Sequence, residues 1–206
     1  MKDPAFILGN GPSRLVVDLD KLKPQGTIWG CNALYRDFTP HYLVSVDKAM
    51  QDEIHASGYC EKHQVIFRQT PTGRYPYNFH KNIYVYNTGK QVPNNSGVGA
   101  LYFALKQGHR KIYLLGFDFK TPELGEVQNI YKGTRNYKSS PRYREPIPRC
   151  ISDWIEKNYK TVEFIRVVDK KLSSTPNFRG LSEPYTTNLD IGEFCEQYQC
   201  HKVSTQ

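Results

Sequence analysis

The segment Ser96-Gly-Val-Gly-Ala-Leu-Tyr-Phe-Ala-Leu-Lys-Gln-Gly-His-Arg-Lys-Ile-Tyr-Leu-Leu-Gly-Phe-Asp-Phe119 decides the fold of this chain. Apolar side chains recur at helical spacing in its first half, at Val98, Leu101, Tyr102 and Leu105. Gly108 ends this predicted helix, and the run Lys111–Phe119 predicts a buried central strand. A helix that leads through glycine into a buried strand is typical of a layered α/β domain.

Outside this segment, short apolar runs bounded by turn residues predict six more strands, at Ala5–Leu8, Thr27–Gly30, Tyr42–Val46, Gln64–Arg68, Asn82–Tyr86 and Val162–Val168. Helices are predicted at Asp47–Ala56 and Ile151–Tyr159. The continuous apolar character of the first strands indicates burial on both faces, as in a parallel sheet. We therefore expect one Rossmann-like α/β domain over residues 1–206 with a mostly parallel sheet. Residues 120–149 are expected to form a lid and 172–206 a C-terminal extension.

Composition excludes several protein classes. The chain has 206 residues, of which 38% are hydrophobic, and this argues against both a disordered chain and a membrane-spanning one. Its N-terminus lacks the apolar run of a secretory signal, so we expect a cytoplasmic protein. The five cysteines are odd in number and scattered, which argues against a disulfide framework. Cys195 and Cys200, with His201, lack two further metal ligands at matching spacing, so free thiols near a frayed terminus are expected.

Half of the net charge of +8 lies in one segment. Residues 120–149 hold seven lysines and arginines against three glutamates, and they also contain four prolines and no regular period. Tyrosines alternate with cations there, at Tyr131, Lys132, Arg135, Tyr137, Lys138, Arg142, Tyr143 and Arg144. Such a segment suits a lid that closes over a phosphorylated donor. A nucleic-acid surface and a solvated basic loop without a ligand are the alternatives.

The loop Gly9-Asn10-Gly11-Pro12-Ser13 directly follows the first strand. Glycines at such a position let backbone amides approach a phosphate, which makes Gly9, Asn10, Gly11 and Ser13 candidates for nucleotide binding. The loop does not match the dinucleotide fingerprint, because Arg14 stands where the third glycine would fall, and no Walker lysine follows. A tight turn without a ligand explains the two glycines equally well.

Further polar residues stand at other strand ends and at one helix start. They are Cys31 and Asn32 at the end of the second strand, Asp47 at the end of the third, and Asn94, Asn95, Ser96 and Gly97 at the start of the best-defined helix. Ligands of open α/β sheets bind outside the carboxyl ends of the strands, so one crevice could collect these groups. Alternatively, Asn32 holds a turn, and Asp47 and Ser96 are helix N-caps.

The sequence resembles the bacterial sialyltransferases of glycosyltransferase family 42. It also resembles the wider group called domain of unknown function 115, which includes archaeal hydroxymethylpterin pyrophosphokinases. The residues that carry this resemblance are Phe6–Ser13, Cys31-Asn32, Ser96–Phe119 and, more loosely, Ile151–Tyr159. The resemblance implies that Asn10 and Asn32 meet the nucleotide or the transferred sugar of a cytidine monophosphate sugar. It further implies that Ser96 and Gly97 present a hydroxyl and amides to an anionic group of the donor.

The sequence departs from the family at two catalytic positions. Lys120 stands where the family has a tyrosine that supports the departing phosphate, and a lysine could neutralise the same charge. Where the family has its catalytic histidine, this chain has Pro141–Glu145 without one. His80 is the only histidine in an irregular segment, and the other five are expected at the surface or in caps. A general base could instead be Asp47, Asp118 or Glu145, and Asp118 could equally tie down the following loop.

These observations favour a glycosyltransferase that uses a nucleotide-activated sugar. Asn10, Asn32, Ser96 and Gly97 would hold the donor, while Lys120 and the lid residues stabilise the leaving nucleotide, and no cofactor is required. Two alternatives stay open. One is pyrophosphoryl transfer from ATP, with Mg²⁺ held by Asp47 and Asp118. The other is a non-catalytic module that binds a nucleotide or nucleic acid. The acceptor is not specified by any motif.

Overall fold

The computed structural model describes residues 2–69, 81–86, 95–119, 128–137, 146–174 and 177–202. Its centre is a single sheet of eight strands, β1 (Ala5–Leu8), β2 (Thr27–Cys31), β3 (Tyr42–Ser45), β4 (Val65–Arg68), β5 (Ile83–Tyr86), β6 (Lys111–Leu115), β7 (Glu163–Val168) and β8 (Thr187–Asp190). The strand order is β5-β4-β3-β2-β1-β6-β7-β8, and every pairing is parallel. The prediction of a Rossmann-like α/β fold is confirmed.

Helices cover both faces of the sheet. They are α1 (Leu19–Leu22), α2 (Lys48–Ala56), α3 (Tyr59–Lys62), α4 (Ser96–Lys106), α5 (Pro146–Asn158) and α6 (Ile191–Gln197). Side chains of α4 and α5 pack on one face, and those of α1, α2, α3 and α6 pack on the other. None of the helices in the described ranges is long and apolar enough to cross a membrane.

Strand β1 shows why the sheet is buried on both sides. Phe6 and Leu8 contribute to one core, whereas Ala5 and Ile7 contribute to the other, because successive side chains of a strand point to opposite faces. All four residues are fully buried. A strand that must be apolar at every position reads as a continuous hydrophobic run, which is the pattern expected of a parallel sheet.

The direction in which the chain adds strands to the sheet reverses after β5, because β6 pairs with the other side of β1. Strands β2 to β5 extend the sheet on one side of β1, and β6 to β8 extend it on the other. Open α/β sheets have their ligand crevice at the carboxyl ends of the strands beside such a reversal. This topological switch point positions the site described below.

Several predicted boundaries require correction. Strand β6 ends at Leu115 rather than Phe119, because Gly116 has φ +69° and turns the chain. Helix α5 begins at Pro146 rather than Ile151. Proline is tolerated in a first helical turn, because the backbone amides there have no partner within the helix.

The predicted C-terminal extension is also part of the sheet. Its residues supply β8 and α6, and α6 packs Phe194 against Phe6, so this region is built into the core. Cys195 and Cys200 are buried there instead of lying at a frayed terminus. His109, expected at the surface, is buried with Nδ1 2.9 Å from the carbonyl oxygen of Asp3, and burial lowers its pKa.

Candidate functional site

A cleft of about 410 Å³ opens at the switch point, where the segments after β1, β2, β3 and β6 meet the start of α4. Six carboxamide side chains line it, those of Asn10, Asn32, Asn95, Gln128, Asn129 and Asn136. Asp47, Asp118, Tyr137 and Phe117 also face the cleft. No lysine or arginine appears among the lining residues in the described ranges. Apart from Asp47 and Asp118, the polar residues of the lining are uncharged donors and acceptors, which can bind the hydrogen-bonding groups of a ligand.

The loop after β1 uses its amides inside the protein. Gly9 N donates to Leu115 O at 2.8 Å, and Gly11 N donates to Gly116 O at 2.9 Å. Ser13 N donates to a carboxylate oxygen of Asp118 at 3.0 Å. The expected cradle of free amides at Gly9, Gly11 and Ser13 is therefore replaced by a tight turn, which the sequence left open as the alternative.

Close backbone approach explains why this turn contains glycine. A Cβ atom on Gly9 would lie 2.5 Å from Gly116 O, and one on Gly11 would lie 2.3 Å from Asp118 Oδ2. Both distances are far inside van der Waals contact. Instead of an α-helix N-terminus, a five-residue 3₁₀ helix, Pro12–Val16, follows the loop. The glycines thus dock the β1 loop onto the β6 loop.

Asn10 lines the cleft together with Gly9 and Gly11, and it alone of these three has a side chain. Its carbonyl oxygen accepts a hydrogen bond from Ile130 N at 3.0 Å, which fixes the backbone. Its side-chain Oδ1 is buried and has no hydrogen-bond partner among the described residues. Because a buried acceptor without a partner is costly, this oxygen is suited to receive a hydrogen bond from a ligand.

Asn32 lies at the carboxyl end of β2 with a left-handed backbone, φ +51°. Its Oδ1 accepts hydrogen bonds from Ser45 Oγ at 3.2 Å and from Ser96 Oγ at 2.7 Å. With the oxygen held in this way, the amide nitrogen is directed to the Tyr137 hydroxyl at the cleft. Asn32 therefore does more than hold a turn, because a pair of serines orients its carboxamide.

The neighbouring Cys31 also lines the cleft, and its thiol is unreactive. Its thiol donates to Leu8 O at 3.3 Å, and burial raises its pKa to about 12, with the charge of Arg14 opposing this shift. A thiol held this far from ionisation is a poor nucleophile.

Ser96 lies behind the lining of the cleft, whereas Gly97 is part of that lining. Ser96 is buried and does not line the cleft, and its hydroxyl accepts from Val46 N at 3.0 Å while it donates to Asn32. The N-cap of α4 is Asn95, whose Oδ1 accepts from the amides of Gly97 and Val98 at 3.0 and 3.2 Å. The Gly97 amide is thus occupied, and Ser96 acts through Asn32.

The two acidic candidates differ in their surroundings. Asp118 is buried, and its carboxylate accepts from Ser13 N and from the Ser173 hydroxyl, each at 3.0 Å. This is the geometry of the structural alternative, in which Asp118 ties loops together. Asp47 is exposed at the cleft and occupies the N-cap position of α2, but its side chain makes no capping hydrogen bond. Of the two, Asp47 is better placed to accept a proton from a bound hydroxyl.

A buried cation orders the segment that carries Asp118. Arg166, on β7, is completely buried and donates from Nε and one terminal nitrogen to Phe117 O at 3.2 and 3.1 Å. The same terminal nitrogen donates to Ser174 O at 2.5 Å. Burial lowers the Arg166 pKa to about 10, an effect that the charge of Asp118 opposes. The sequence signal for this role is the arginine inside the apolar strand predicted at Val162–Val168.

Residues 128–137, which we call the cleft wall, are one described part of the predicted lid, and residues 146–149 of that lid belong to α5. Tyr131 is buried, and its hydroxyl donates to the Asp37 carboxylate and accepts from Arg14 at 2.8 Å. The side chain of Arg135 lines a shallow pocket between the wall and α2, away from the cleft. Of the four predicted lid residues in the wall, Tyr131, Lys132, Arg135 and Tyr137, only Tyr137 lines the cleft. Tyr131 anchors the wall and Arg135 borders it.

Other predicted site residues lie outside the described ranges. They are Lys120, Arg142 and Arg144, together with His80, Asn94, Tyr143 and Glu145. Among the residues that are described, no group of three or more histidine, cysteine, aspartate or glutamate side chains is arranged to hold a metal ion.

The fold is similar to those of solved sialyltransferases. The sialyltransferase CstII from Campylobacter jejuni, in complex with the substrate analogue CMP-3FNeuAc, matches 80% of this chain and 79% of its own, with a TM-score of 0.50 and 15% identity. A variant of CST-II in complex with CMP matches 97% of this chain and all of its own, with a TM-score of 0.52 and 14% identity. No protein-family model and no curated protein matches the sequence. The similarity confirms the expected likeness to sialyltransferases at the level of the fold.

Proposed function

We propose that this protein is a sialyltransferase-like glycosyltransferase whose cleft binds a nucleotide-activated sugar of the CMP-sugar type. The observation that carries the proposal is the pair of carboxamides at the switch point. Asn10 presents a buried acceptor with no partner among the described residues, and Asn32 presents an amide oriented by Ser45 and Ser96. The fold similarity to sialyltransferases solved with CMP or a CMP-sugar analogue supports the same assignment.

In this proposal some residues contact the donor and others position those that do. Asn10 and Asn32 contact the donor directly, and Ser96 orients Asn32. Gly9, Gly11, Ser13 and Gly97 shape the backbone around the donor, because their amides are already bonded within the protein. The whole chain would act as one domain, since β8 and α6 complete the same sheet.

Tyr137 supplies a hydroxyl that stays protonated at neutral pH. Burial raises its pKa, Cys31 and Asp47 raise it further, and the hydrogen bond from Asn32 works in the opposite direction. A neutral hydroxyl can donate a hydrogen bond to a developing negative charge on a leaving phosphate. Asp47 would accept the proton of an acceptor hydroxyl, and Lys120 with Arg142 and Arg144 would add positive charge.

The alternative of ATP-dependent pyrophosphoryl transfer ranks second on geometry. It would need Mg²⁺ held by Asp47 and Asp118. Asp118 already accepts two hydrogen bonds from Ser13 and Ser173, so coordination would require that these bonds break. Mg²⁺ would be required only under this alternative, and it could then bring a carboxylate and the ATP phosphates together.

A thermal-shift panel of CMP, CDP, UDP, GDP, ADP and ATP, with and without Mg²⁺, tests the proposal. A ligand that binds the native state raises the melting temperature by mass action. We expect CMP to stabilise the protein without Mg²⁺, Asn32→Gly to abolish the shift, and the exposed Asn188→Ala on β8 to retain it. A preference for ATP with strict dependence on Mg²⁺ would instead support the pyrophosphokinase.

Further results would remove the enzyme assignment. A chain that binds CMP but neither hydrolyses nor transfers a CMP-sugar would be a nucleotide-binding module. Salt-dependent binding to nucleic acid, with no response to any nucleotide of the panel, would place the ligand on the basic segment.

A further inference from the structure

We infer that Glu53 and Arg36 are positioning residues that hold the cleft wall in place and thereby set Tyr137 at the cleft. Neither residue lines the cleft, and neither belongs to a sequence motif. That the positioned cleft receives a nucleotide rests on the proposed function, whereas the anchoring of the wall does not depend on it.

Glu53, on α2, is buried, and both of its carboxylate oxygens are fully used. Oε1 accepts from the Tyr35 hydroxyl at 2.6 Å and from Arg36 Nε at 2.8 Å. Oε2 accepts from an Arg36 terminal nitrogen at 2.8 Å and from Asn136 Nδ2 at 2.7 Å. The arginine therefore grips the carboxylate at both oxygens, while one oxygen also holds the wall.

Arg36 has further donors, and these also reach the wall. One terminal nitrogen donates to Thr134 Oγ1 at 2.7 Å, and the other donates to Arg135 O at 2.8 Å. Together with the bond from Asn136 to Glu53, this ion pair fixes three consecutive wall residues. The next residue in the chain is Tyr137.

The conformation of Asn136 links the anchor to the cleft. Its backbone is left-handed, φ +64°, a region that asparagine tolerates better than most residues. Its side chain reaches back to Glu53 and also donates to Ala49 O at 3.2 Å. Tyr137 then packs against the core with its hydroxyl beside Asn32.

The turn at residues 132–136 is bonded internally, as by Gly133 N to Tyr137 O at 2.8 Å, and Glu53 and Arg36 tie it to the body of the protein. Residues 132–136 are exposed and form turns, with no regular helix or strand. A segment of this kind loses its ordering when its tertiary bonds are removed, and a ligand must then supply the ordering free energy. Removing the Glu53 charge should therefore weaken nucleotide binding without any contact between Glu53 and the nucleotide.

The variant Glu53→Gln tests this inference, because it keeps the size of the side chain and removes the charge that Arg36 grips. Two measurements are made on the full chain: the rate of trypsin cleavage after Lys132 and Arg135, and the CMP dissociation constant. We expect wall cleavage to accelerate at least tenfold and the dissociation constant to rise about tenfold. Glu193→Gln, an exposed glutamate of α6, is the matched control and should change neither quantity.

Global destabilisation is separated from wall release by comparing cleavage sites. If Glu53 only stabilised the fold, cleavage at Lys111 in the buried strand β6 would accelerate by the same factor as cleavage of the wall. That result, or unchanged wall cleavage, would overturn the inference. Arg36→Lys keeps the charge but loses the two-oxygen grip, so it should show the same wall-specific cleavage as Glu53→Gln.

The inference and the proposed function can fail separately. If the wild-type chain binds no nucleotide of the panel, the proposed function fails, and wall-specific cleavage in Glu53→Gln still decides the anchoring. If the wall is released but CMP binds as tightly as in the wild type, Glu53 is an anchor that does not position the cleft, and the inference is overturned.

Discussion

The Ser96 hydroxyl donates a hydrogen bond to the side-chain oxygen of Asn32 across 2.7 Å, although the two residues are 64 positions apart in the chain. The same hydroxyl accepts the amide proton of Val46 at 3.0 Å. One buried hydroxyl therefore joins the start of α4 to the ends of β2 and β3. It also determines which end of the Asn32 carboxamide is offered to a ligand, since the oxygen is taken.

Ser96→Ala should weaken nucleotide binding and also lower stability. The Asn32 carboxamide loses its strongest constraint, so we expect the CMP dissociation constant to rise about fivefold by isothermal titration. The amide of Val46 is left without its acceptor, which costs about 1–3 kcal/mol of unfolding free energy. Ser182→Ala is the control: this exposed serine lies between β7 and β8, its hydroxyl donates locally to Arg179 O at 2.9 Å, and the variant should leave both values nearly unchanged. Unaltered CMP affinity in Ser96→Ala would show that Asn32 does not need this partner.

Two substitutions of Asn32 should separate the effect of its backbone conformation on stability from the effect of its side chain on CMP binding. With φ +51°, alanine at this position adopts a conformation that costs roughly 1–2 kcal/mol, whereas glycine adopts it freely. We therefore expect Asn32→Ala to melt below Asn32→Gly, while both lose CMP binding. Equal melting temperatures would contradict the backbone argument, and retained binding in either variant would remove Asn32 from the donor site.

Gly11→Ala should strongly destabilise the protein. The added Cβ would lie 2.3 Å from Asp118 Oδ2 and 2.6 Å from Gly116 O, so the β1 and β6 loops must separate. We expect a loss of about 2–4 kcal/mol in urea unfolding. At Gly192 the nearest atom is the flexible Asp190 carboxylate oxygen at 3.1 Å, so Gly192→Ala should cost far less. Similar losses in the two variants would mean that close loop packing is not the reason for Gly11.

Stability should depend on the ionisation of Glu53. Burial by itself would raise its pKa, but hydrogen bonds from Tyr35, Arg36 and Asn136, with the charge of Arg36, lower it below the usual value. A lowered pKa contributes stability above the unfolded pKa of about 4.3. This contribution is lost as the pH falls through the folded pKa. The melting-temperature difference between wild type and Glu53→Gln should therefore be full at pH 6–7 and shrink below about pH 4.3. A difference independent of pH would contradict this assignment.

Thiol labelling should detect one cysteine in the native chain. Of the five cysteines, only Cys150 is exposed, and the thiol of Cys31 is held protonated by burial. Mass spectrometry after brief treatment with iodoacetamide at pH 8 should show a single adduct, and none in Cys150→Ser. In urea all five should react. Rapid native labelling of Cys31 would indicate that the cleft floor opens.

Much of the architecture could be predicted because it is encoded over short distances in the chain. Strand β1 has the predicted bounds, and helix α4 begins at the predicted residue, since each is specified by side chains two to four residues apart. Polar residues at the strand ends also identified Asn10, Asn32 and Asp47, which do line one cleft. The parallel arrangement of strands brings their carboxyl ends to one edge, so this grouping needed no long-range information.

The limits of prediction appear at loops whose partners lie far away. The glycines of the β1 loop suggested phosphate binding, but they serve the approach of Gly9 and Gly11 to the β6 loop more than 100 residues later. The sequence likewise indicated a lid from its charge and lack of period, and it did not reveal that Arg14 and Asp37 bury the Tyr131 hydroxyl.

The sequence by itself determined the fold class and the edge of the sheet where the site lies. Hydrophobic periodicity and strand-end residues are local properties, and a parallel sheet turns them into one crevice. The tertiary structure decided which groups face that crevice. Glu53 and Asn136 are 83 positions apart, and no spacing rule links two residues whose contact exists only after the sheet has formed. Side-chain contacts of this range depend on packing, and packing placed Tyr137 in the cleft and Tyr131 in the core.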